Sequence, residues 1–420
     1  MNLLWLVNVR LPEVSKIMKW ESRPYGGWLI NSSKKLSELP NIKLNIAYPE
    51  KKVKNLELIK GKNINYYAFK PKGNSHFYKS YFDSFQKIIE LTNPDLVNIY
   101  GTELNHVLPM VDACLKNGTK FVITAQGLTT AIQEHIYSNI PINVILGYTI
   151  RNIIKRDNIK RLKNNFMKRA EREKEILNKS EYFIGRTTFD RAVATQINPN
   201  INYYMCNETL REEFYKHRWD VQNIERYSIF ISQGKSPYKG LHNLLKAVSI
   251  VSKKYPDTKL YVAGNMRCFS NNLVDKMLIT RYEKYLEQLI LKLNLKKRVI
   301  FTGTLDEKQM CERYLKSHVY VSASSIENSP NSLAEAMILG VPSVASYVGG
   351  VPNMMDHGKE GFLYQHDAPY MLSYFISKIF EDDNLAMNLS ENSVKRASKV
   401  HDIDSNVEKL VKIYEEILSD

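Results

Sequence analysis

Cysteine is scarce in this chain, and its four copies stand far apart. They are Cys114, Cys206, Cys268 and Cys311, and no two of them form a Cys-x-x-Cys pair. This spacing argues against a zinc site and against a disulfide framework, and it is typical of a protein of the reducing cytoplasm. We therefore expect a cytoplasmic protein that holds no metal ion.

The sequence also lacks an apolar run long enough to cross a membrane. The apolar N-terminal run that begins at Leu3 is interrupted by Asn8 and Arg10, and no basic start precedes it. A membrane span needs about 20 apolar residues, and a secretory leader needs a basic start. We therefore expect this run to form a first buried strand.

Acidic residues are fewer than basic ones, with 44 Asp and Glu against 59 Lys and Arg, for a net charge of +15. Such an excess predicts an anionic partner, but charge alone does not choose among nucleic acid, an anionic membrane and a nucleotide substrate. A chain of 420 residues that is 44% hydrophobic is long and apolar enough for two globular domains.

The stretch from Val319 to Met355 carries the most specific pattern. Its periodicity predicts a strand, a loop, a helix that contains the apolar-periodic segment Leu333 to Leu339 and ends at Gly340, and a second strand. Ser329 stands where an N-cap belongs, and Pro330 stands where the first helical residue belongs. The amides of Asn331, Ser332 and Leu333 would then point out of the helix and offer a phosphate site.

Two carboxylates bracket this predicted phosphate site, Glu327 in the loop and Glu335 on the helix. Carboxylates that faced a phosphate would repel it, so hydroxyl groups on either side of the phosphate are better partners. A sugar nucleotide has that layout, with hexose and ribose hydroxyls on either side of a diphosphate. The alternative, which spacing alone leaves open, is an ordinary solvated pair of glutamates.

The wider segment resembles the donor-binding signature of the retaining GT-B glycosyltransferases of family 4. Glu327 and Glu335 are followed by Gly340-Val341-Pro342-Ser343-Val344-Ala345 and by Gly349-Gly350-Val351-Pro352, as in that family. The resemblance implies that Glu327 contacts the donor sugar and that Glu335 contacts the ribose. Asn328 and Pro330 replace the usual glycines. Because proline has no amide to donate, phosphate contacts should fall on Asn331 and Ser332.

A glycine-containing loop follows the predicted strand Tyr227 to Ser232 and resembles the family's element with an arginine and a lysine. Gly234 begins it, Lys235 replaces the arginine, and Lys239 matches the lysine. The resemblance implies that both lysines stabilise the departing diphosphate. A lysine, however, offers a single point charge and lacks the planar set of donors of an arginine. Two solvated lysines in a surface loop are the alternative.

Two further strand ends resemble the family's base-binding loops, after Leu260 to Asn265 and after Val299 to Gly303. The implied donor contacts are made by Asn265, Gly303, Thr304 and Leu305. A glycine after a strand is otherwise a routine turn.

The first half of the chain also alternates strand and helix patterns, as in a doubly wound sheet. Gly26 and Gly27 precede a helix pattern and either let the backbone approach an acceptor or allow a tight turn. Gln126 and Gly127 follow another strand, and Gln126 stands where many family members have a histidine. The Gly101-Thr102-Glu103 run also follows a strand and is a candidate for substrate contact.

The most basic region, residues 150–176, has a helix-like pattern with isoleucines loosely on one side. It is either a charged solvent face of a long helix or a contact with an anionic membrane. We expect no nucleic acid partner, because no aromatic interleaving or nucleic-acid motif accompanies the charge.

Three smaller features complete the pattern. Arg186 and Arg191 either attract phosphate or pair with Asp190 and Glu208 as structure. The polar run 212–226 is the predicted linker. The Asp402-Ile403-Asp404 motif precedes the last helix pattern, and we interpret it as an N-cap and not as a metal site.

Together these patterns predict an α/β protein of GT-B fold, with two Rossmann-like doubly wound parallel-sheet domains that face an interdomain cleft. Residues 1–215 would bind the acceptor and residues 216–404 the donor, and a helix at about 405–420 would pack back on the first domain. The implied activity is retaining hexosyl transfer from a UDP- or GDP-linked sugar to a glycan or lipid-linked acceptor, without metal or cofactor.

The resemblance further implies a role in bacterial surface polysaccharide synthesis, such as capsule or lipopolysaccharide, at the inner face of the cell membrane. Two other functions stay open. One is a non-catalytic subunit that binds nucleotide sugar or membrane, and the other is a nucleotide-sugar epimerase on the same fold.

Overall fold

The computed structural model describes residues 1–21, 26–71 and 78–420. Arg23, Pro24 and Tyr25, which precede Gly26 in the same predicted loop, lie outside the described residues. The chain divides into two compact units. Unit 1 contains Met1–Ala131, Met167–Arg211 and His401–Asp420, and unit 2 contains Ile132–Phe166 and Glu212–Val400.

The strands follow the predicted apolar runs closely, and the strand over Val299–Gly303 has the predicted bounds. They are β1 Asn2–Leu6, β2 Lys43–Pro49, β3 Glu57–Lys60, β4 Ile64–Phe69, β5 Leu96–Tyr100, β6 Lys120–Thr124, β7 Tyr182–Gly185, β8 Asn202–Met205, β9 Glu225–Ile231, β10 Lys259–Ala263, β11 Val299–Gly303, β12 Ser317–Ser322, β13 Ser343–Ser346 and β14 Phe362–Tyr364.

The helices occupy most of the segments between these strands. They are α1 Pro12–Ile17, α2 Gly27–Glu38, α3 Tyr78–Thr92, α4 Val107–Asn117, α5 Thr129–His135, α6 Ile142–Ile145, α7 Ile150–Lys155, α8 Ile159–Asn178, α9 Thr188–Ile197, α10 Leu241–Lys254, α11 Leu273–Leu278, α12 Arg281–Lys292, α13 Glu307–Leu315, α14 Asn331–Leu339, α15 Val351–Met354, α16 Pro369–Glu381, α17 Asp383–Val400 and α18 Ile403–Ser419.

The sheet of unit 1 has the strand order β3-β4-β2-β1-β5-β6-β7-β8. All neighbours are parallel except β3, which runs antiparallel to β4. Leu3 and Trp5 belong to one apolar core, and Leu4 and Leu6 belong to another. Because side chains alternate along a strand, the two cores cover opposite faces of the sheet.

The last helix, α18, contributes to the first of these cores. Val407, Leu410 and Tyr414 pack there, and the Tyr414 hydroxyl accepts a hydrogen bond from Asn98 Nδ2 at 2.6 Å. Asp402 caps the helix, because its side chain accepts a hydrogen bond from the Ser405 amide at 2.8 Å. The predicted N-cap role of Asp402 is therefore confirmed.

The sheet of unit 2 is parallel and has the strand order β11-β10-β9-β12-β13-β14. The chain begins in β9, winds outward through β10 and β11, and then returns to β12 on the other side of β9. The switch of direction therefore falls between β9 and β12. Loops that leave two such strands diverge at their carboxyl ends and leave room for a ligand.

The basic region 150–176 is not one helix, so that prediction is wrong. Arg156 has a left-handed backbone with φ of 51°, and the Asn158 side chain accepts a hydrogen bond from the Arg161 amide to start α8. Ile159 is buried, whereas Ile153 and Ile154 are exposed. The predicted single apolar face therefore does not exist.

The predicted linker, residues 212–226, is also packed and not free. Phe214 is fully buried and Trp219 is nearly so. The Trp219 indole N–H donates to the Ser317 carbonyl at 2.8 Å, and the Trp219 amide donates to Leu339 at 2.7 Å. These contacts attach the segment to unit 2, because two aromatic anchors outweigh its polar composition.

All four cysteines are buried, and none of the four forms a disulfide. Within the described ranges, none of the helices has both the length and the apolar character that crossing a bilayer requires.

Candidate active site

The switch point of the unit 2 sheet brings two of the predicted catalytic residues together. Lys239 lies in the loop after β9, and Glu327 lies in the loop after β12. The Lys239 ammonium contacts Glu327 Oε1 at 2.6 Å. Ser324 Oγ donates to the same carboxylate oxygen at 2.6 Å. The two side chains are 17% and 14% exposed, so solvent reaches the pair.

Two glycines allow these loops to meet. Gly240, with φ of +72°, lies so close to β12 that an added Cβ would stand 1.8 Å from the Ala323 carbonyl oxygen. Gly349, with φ of +49°, would bring a Cβ to 2.0 Å from the Glu327 carbonyl oxygen. The next amide, of Gly350, donates to that oxygen at 3.0 Å. Only glycine satisfies both the close approach and the backbone conformation.

The charge of Lys239 is maintained by its partner. Burial lowers the pKa of Lys239, but the charge of Glu327, the neighbouring Tyr238 phenol and the hydrogen bond to Glu327 raise it, and the net pKa is raised. Lysine carries three N–H donors, and the contact with Glu327 occupies one. The ammonium can therefore contact an anion without leaving the carboxylate.

The helix that follows Glu327 begins one residue later than predicted. Pro330, and not Ser329, is its N-cap, with φ of −69° and ψ of 115°. The Ser329 hydroxyl instead donates to the Met354 sulfur at 3.8 Å. The Leu333 amide donates to the Pro330 carbonyl at 2.9 Å, so the prediction that it points out unpaired is wrong. Asn331 and Ser332 hold the first two amides of α14 and stay the predicted phosphate contacts.

Glu335 lies in the second turn of α14 and is 7% exposed. Every residue of this helix from Leu333 to Leu339 is buried. A carboxylate on so buried a helix needs polar partners, and a contact of Glu335 with a ligand stays a prediction.

The other predicted donor residues lie at the same edge of the sheet. Gly234 is buried, and an added Cβ would stand 2.6 Å from Leu241 Cδ2. Lys235 is exposed and forms no ion pair with any described residue. The Gly264 amide donates to the Gly303 carbonyl at 2.9 Å and joins the loops after β10 and β11.

This bridge places Asn265 beside Gly303, because an added Cβ on Gly303 would stand 3.7 Å from Asn265 Oδ1. Thr304 is exposed and Leu305 is partly buried in the next two positions. Their contact with a base stays a prediction.

The predicted acceptor residues of unit 1 already have partners within that unit. Gly26 has φ of +86° and serves as the N-cap of α2, and an added Cβ on Gly27 would stand 2.0 Å from Arg211 Cγ. Gln126 Nε2 donates to Glu208 Oε1, and the Gly127 amide donates to Glu103 Oε1 at 2.8 Å. These contacts give each of the four residues a structural role within unit 1. Their role in binding an acceptor stays a prediction.

Arg186 follows β7 and forms a buried ion pair with Glu208 at 2.7 Å, where the side chains are 6% and 8% exposed. Asp190 accepts from the Arg186 amide at 2.8 Å and forms the capping box of α9 with the N-cap residue Thr187. Arg191 lies over the Tyr203 ring, 5.4 Å from its centroid. The structural interpretation of Arg186 is therefore confirmed.

Sequence reasoning missed Ser324, which orients Glu327. Its signal was weak, because it is one serine among several in a polar turn. Its place three residues before Glu327, just beyond a strand end, is the feature that identifies it. Among the described residues, no three His, Cys, Asp or Glu side chains come together as a metal site.

Comparisons with known proteins agree with this geometry. Residues 213–396 match the model of the family described as Glycosyl transferases group 1. The chain is 31% identical over 205 residues to N-acetyl-alpha-D-glucosaminyl L-malate synthase of Bacillus anthracis, a match that covers 49% of this chain and 48% of that protein. The matches cover less than half of the length of the first curated relatives.

Solved structures match over nearly the whole chain. Sucrose-phosphate synthase from Thermosynechococcus elongatus superposes with a TM-score of 0.72 at 15% identity, over 99% of both chains. Anabaena HepE in complex with UDP-glucose superposes with a TM-score of 0.68 at 15% identity, again over 99% of both chains. The predicted GT-B fold is confirmed. Together the comparisons show the GT-B fold for the chain and a match of residues 213–396 to the group 1 glycosyltransferase model.

Proposed function

We propose that this protein transfers a hexose from a nucleoside-diphosphate sugar to a glycan or lipid-linked saccharide, with retention at the anomeric carbon. The observation that carries the proposal is the Lys239–Glu327 pair at the switch point of the unit 2 sheet. UDP-glucose is the first donor to test, because a HepE structure of the same fold is a complex with it.

Glu327 would orient the hexose in this proposal. Its carboxylate is fixed by Ser324 and Lys239, and its backbone carbonyl is fixed by Gly350. A carboxylate so positioned accepts hydrogen bonds from sugar hydroxyls. Glu335 would accept from the ribose in the same way.

Lys239 would stabilise the diphosphate as it departs. The bond between the anomeric carbon and the phosphate oxygen breaks, and its electron pair stays on that oxygen. The ammonium of Lys239, the exposed Lys235 and the amides of Asn331 and Ser332 would offset this charge. Positive charge from side chains then takes the place of a divalent cation, which is why we propose a metal-independent reaction without a cofactor.

The acceptor hydroxyl would attack the anomeric carbon from the face that the diphosphate leaves. Its proton would pass to the departing phosphate oxygen, and attack on that face preserves the configuration. We assign the acceptor to unit 1, with Gly26, Gly27, Gln126 and Gly127 as its predicted contacts. A surface polysaccharide precursor at the inner face of the membrane is the acceptor class we propose.

The experiment is release of nucleoside diphosphate from UDP-, GDP- and ADP-sugars, with and without a lipid-linked acceptor extract. The wild type is compared with Glu327→Gln and with Glu391→Gln, an exposed glutamate of α17 that serves as the control. Acceptor-dependent release that survives EDTA, survives Glu391→Gln and falls by about a hundredfold in Glu327→Gln supports the proposal.

Release without any acceptor would favour a different nucleotide-sugar enzyme. Binding of a donor without release would favour the non-catalytic subunit. Proton NMR of the product would test retention directly, because an inverted anomeric configuration contradicts the proposed face of attack.

A further inference from the structure

Three short helical segments of unit 2 expose an unusual number of large apolar side chains. We name this surface the α7/α11 patch. Its members lie on α6, on α7 with the loop before it, and on α11, and each is more than half exposed: Ile142, Leu146, Tyr148, Ile150, Ile153, Ile154, Leu273, Val274 and Met277. Isolated apolar residues at a surface are normal, but a contiguous group of this kind marks an interaction site.

The two principal helices of the patch are packed together through their polar side chains. Thr149 Oγ1 donates to the Ile279 carbonyl at 2.8 Å, and Arg151 Nη1 donates to the Leu278 carbonyl at 3.1 Å. The Arg281 amide donates to Asn152 Oδ1 at 3.1 Å. The segments on either side of the patch are therefore joined by a hydrogen-bond network.

This packing is the reverse of the usual arrangement in a soluble helix. Asn152 is 2% exposed, whereas Ile153 and Ile154 in the next two positions are 67% and 70% exposed. In α11, Asp275 accepts from Ser270 Oγ at 2.8 Å, while Leu273 and Val274 are 75% and 60% exposed. In α7 the protein therefore buries a polar side chain and presents isoleucines to its surroundings, whereas α11 buries none of its residues and adds Leu273 and Val274 to the exposed apolar surface.

The charge around the patch is positive. Residues 142–161 and 273–281 contain seven Lys and Arg and two Asp. Both aspartates have cationic partners, since Arg151 contacts Asp157 at 2.9 Å and Arg267 contacts Asp275 at 3.5 Å. Lys155, Arg156, Lys160 and Lys276 are exposed. A second copy of this chain would bring the same positive charge against the patch, which disfavours self-association.

We propose that the α7/α11 patch seats unit 2 on an anionic lipid bilayer. The isoleucines, leucines and Met277 would enter the boundary between headgroups and acyl chains, and the surrounding lysines and arginines would contact lipid phosphates. Interfacial helices combine an apolar side with basic residues in this way, and each cation near an anionic surface strengthens the attraction. The patch differs from the predicted 150–176 face, because it adds α6 and α11 and leaves out α8.

The test is vesicle flotation of the full chain without any nucleotide sugar, so its result does not depend on the proposed activity. One set of vesicles is phosphatidylcholine alone, and the other contains about one-third phosphatidylglycerol. We expect binding to the anionic vesicles that weakens with salt. Ile153→Ser/Ile154→Ser should reduce partitioning at least about tenfold. Lys155→Glu/Lys276→Glu should reduce it on anionic vesicles only.

The matched control is Tyr370→Ser/Tyr374→Ser, which removes two exposed apolar side chains, 64% and 53% exposed, from α16 of the same unit. Equal partitioning of the wild type and the isoleucine variant would overturn the proposal, as would an equal loss in the control. Light scattering is measured in parallel. A wild-type dimer that the isoleucine variant abolishes would assign the patch to a second copy and also overturn the proposal.

Discussion

Each unit has a cation–carboxylate pair at the carboxyl edge of its sheet, and the two pairs differ in their exposure to solvent. Arg186 and Glu208 in unit 1 are 6% and 8% exposed, whereas Lys239 and Glu327 in unit 2 are 17% and 14% exposed. Glu208 also accepts from Gln126, and its carbonyl accepts from His401 Nδ1 at 2.8 Å. The unit 1 pair is thus part of a buried network.

The difference indicates that similar pairs have different roles: the unit 1 pair stabilises the structure, and we propose that the unit 2 pair binds a ligand. Arg186 donates Nη1 to Glu208 and Nη2 to the Ala125 carbonyl at 3.4 Å, so its planar guanidinium is held at two points. A lysine makes a point contact and retains donors for a second anion. The glycines at 240 and 349 bring the lysine and its carboxylate together in loops that solvent reaches.

The largest expected effect is on stability, from removal of the buried cation in unit 1. Arg186→Met leaves the Glu208 carboxylate buried without its charge partner, which costs about 3–5 kcal/mol. Lys239→Met should cost about 1 kcal/mol or less, because Glu327 is partly hydrated and keeps Ser324. Urea unfolding of both variants checks the order, and equal losses would remove the distinction between the pairs.

The next largest effect, again on the free energy of unfolding, is expected where Gly240 approaches the chain that follows β12. Gly240→Ala should lower the free energy of unfolding by about 3 kcal/mol, since it adds a clash with the Ala323 carbonyl to the strain of a positive φ. Gly358→Ala is the matched control, because Gly358 has φ of +79° and nothing within 4 Å of an added Cβ. It should cost only about 1 kcal/mol. A similar loss in both variants would mean that the close approach is unimportant.

A smaller loss of folding stability is expected as the pH falls. Burial lowers the pKa of His401 to about 4, with the Arg186 charge as a further cause, from an ordinary value near 6.5. The unfolded chain therefore binds this proton first as the pH falls, so stability is present above about 6.5 and is lost toward 4. From pH 7 to pH 5 the loss is about 2 kcal/mol.

Replacement of His401 by glutamine isolates this contribution, because glutamine still offers an N–H to the Glu208 carbonyl and does not titrate. The pH dependence of the urea midpoint should be shallower in His401→Gln than in the wild type. An unchanged slope would show that His401 is not buried as a neutral side chain.

The smallest effect, on UDP binding, is expected from Lys235, the exposed lysine in the loop after β9. Lys235→Met should weaken UDP binding by about threefold, because an exposed charge contributes little and salt screens it. Binding is measured by calorimetry at two salt concentrations. A loss as large as that of Lys239→Met would make Lys235 an equal partner and would place the diphosphate further out in the loop.

The sequence predicted the elements of the site better than their contacts. The strand ends, the end of α14 at Gly340 and the place of Lys239 and Glu327 followed from periodicity and from motif order. The ion pair between them did not follow, because residues 88 positions apart meet only after β9 and β12 become neighbours. The helix start was misplaced by one residue, since a proline was assigned to the first turn and serves as the cap.

Predictions from charge and polarity alone were wrong for two segments, residues 150–176 and 212–226. A run of basic residues predicted one helix, but the left-handed Arg156 and the Asn158 cap divide it. A polar run predicted a linker, but the buried side chains of Phe214 and Trp219 attach it to unit 2. In both cases one or two residues with specific tertiary contacts decided the outcome.

The most direct test of the account is the affinity of UDP for Lys239→Met, measured by calorimetry beside the wild type and Lys253→Met. Lys253 is an exposed lysine of α10, so its variant matches the change in charge. The account predicts a loss of at least about tenfold for Lys239→Met, since a charge-assisted contact with phosphate contributes about 1.5–3 kcal/mol, and no loss for Lys253→Met. Wild-type affinity in Lys239→Met would contradict the assignment of this pair to the donor site.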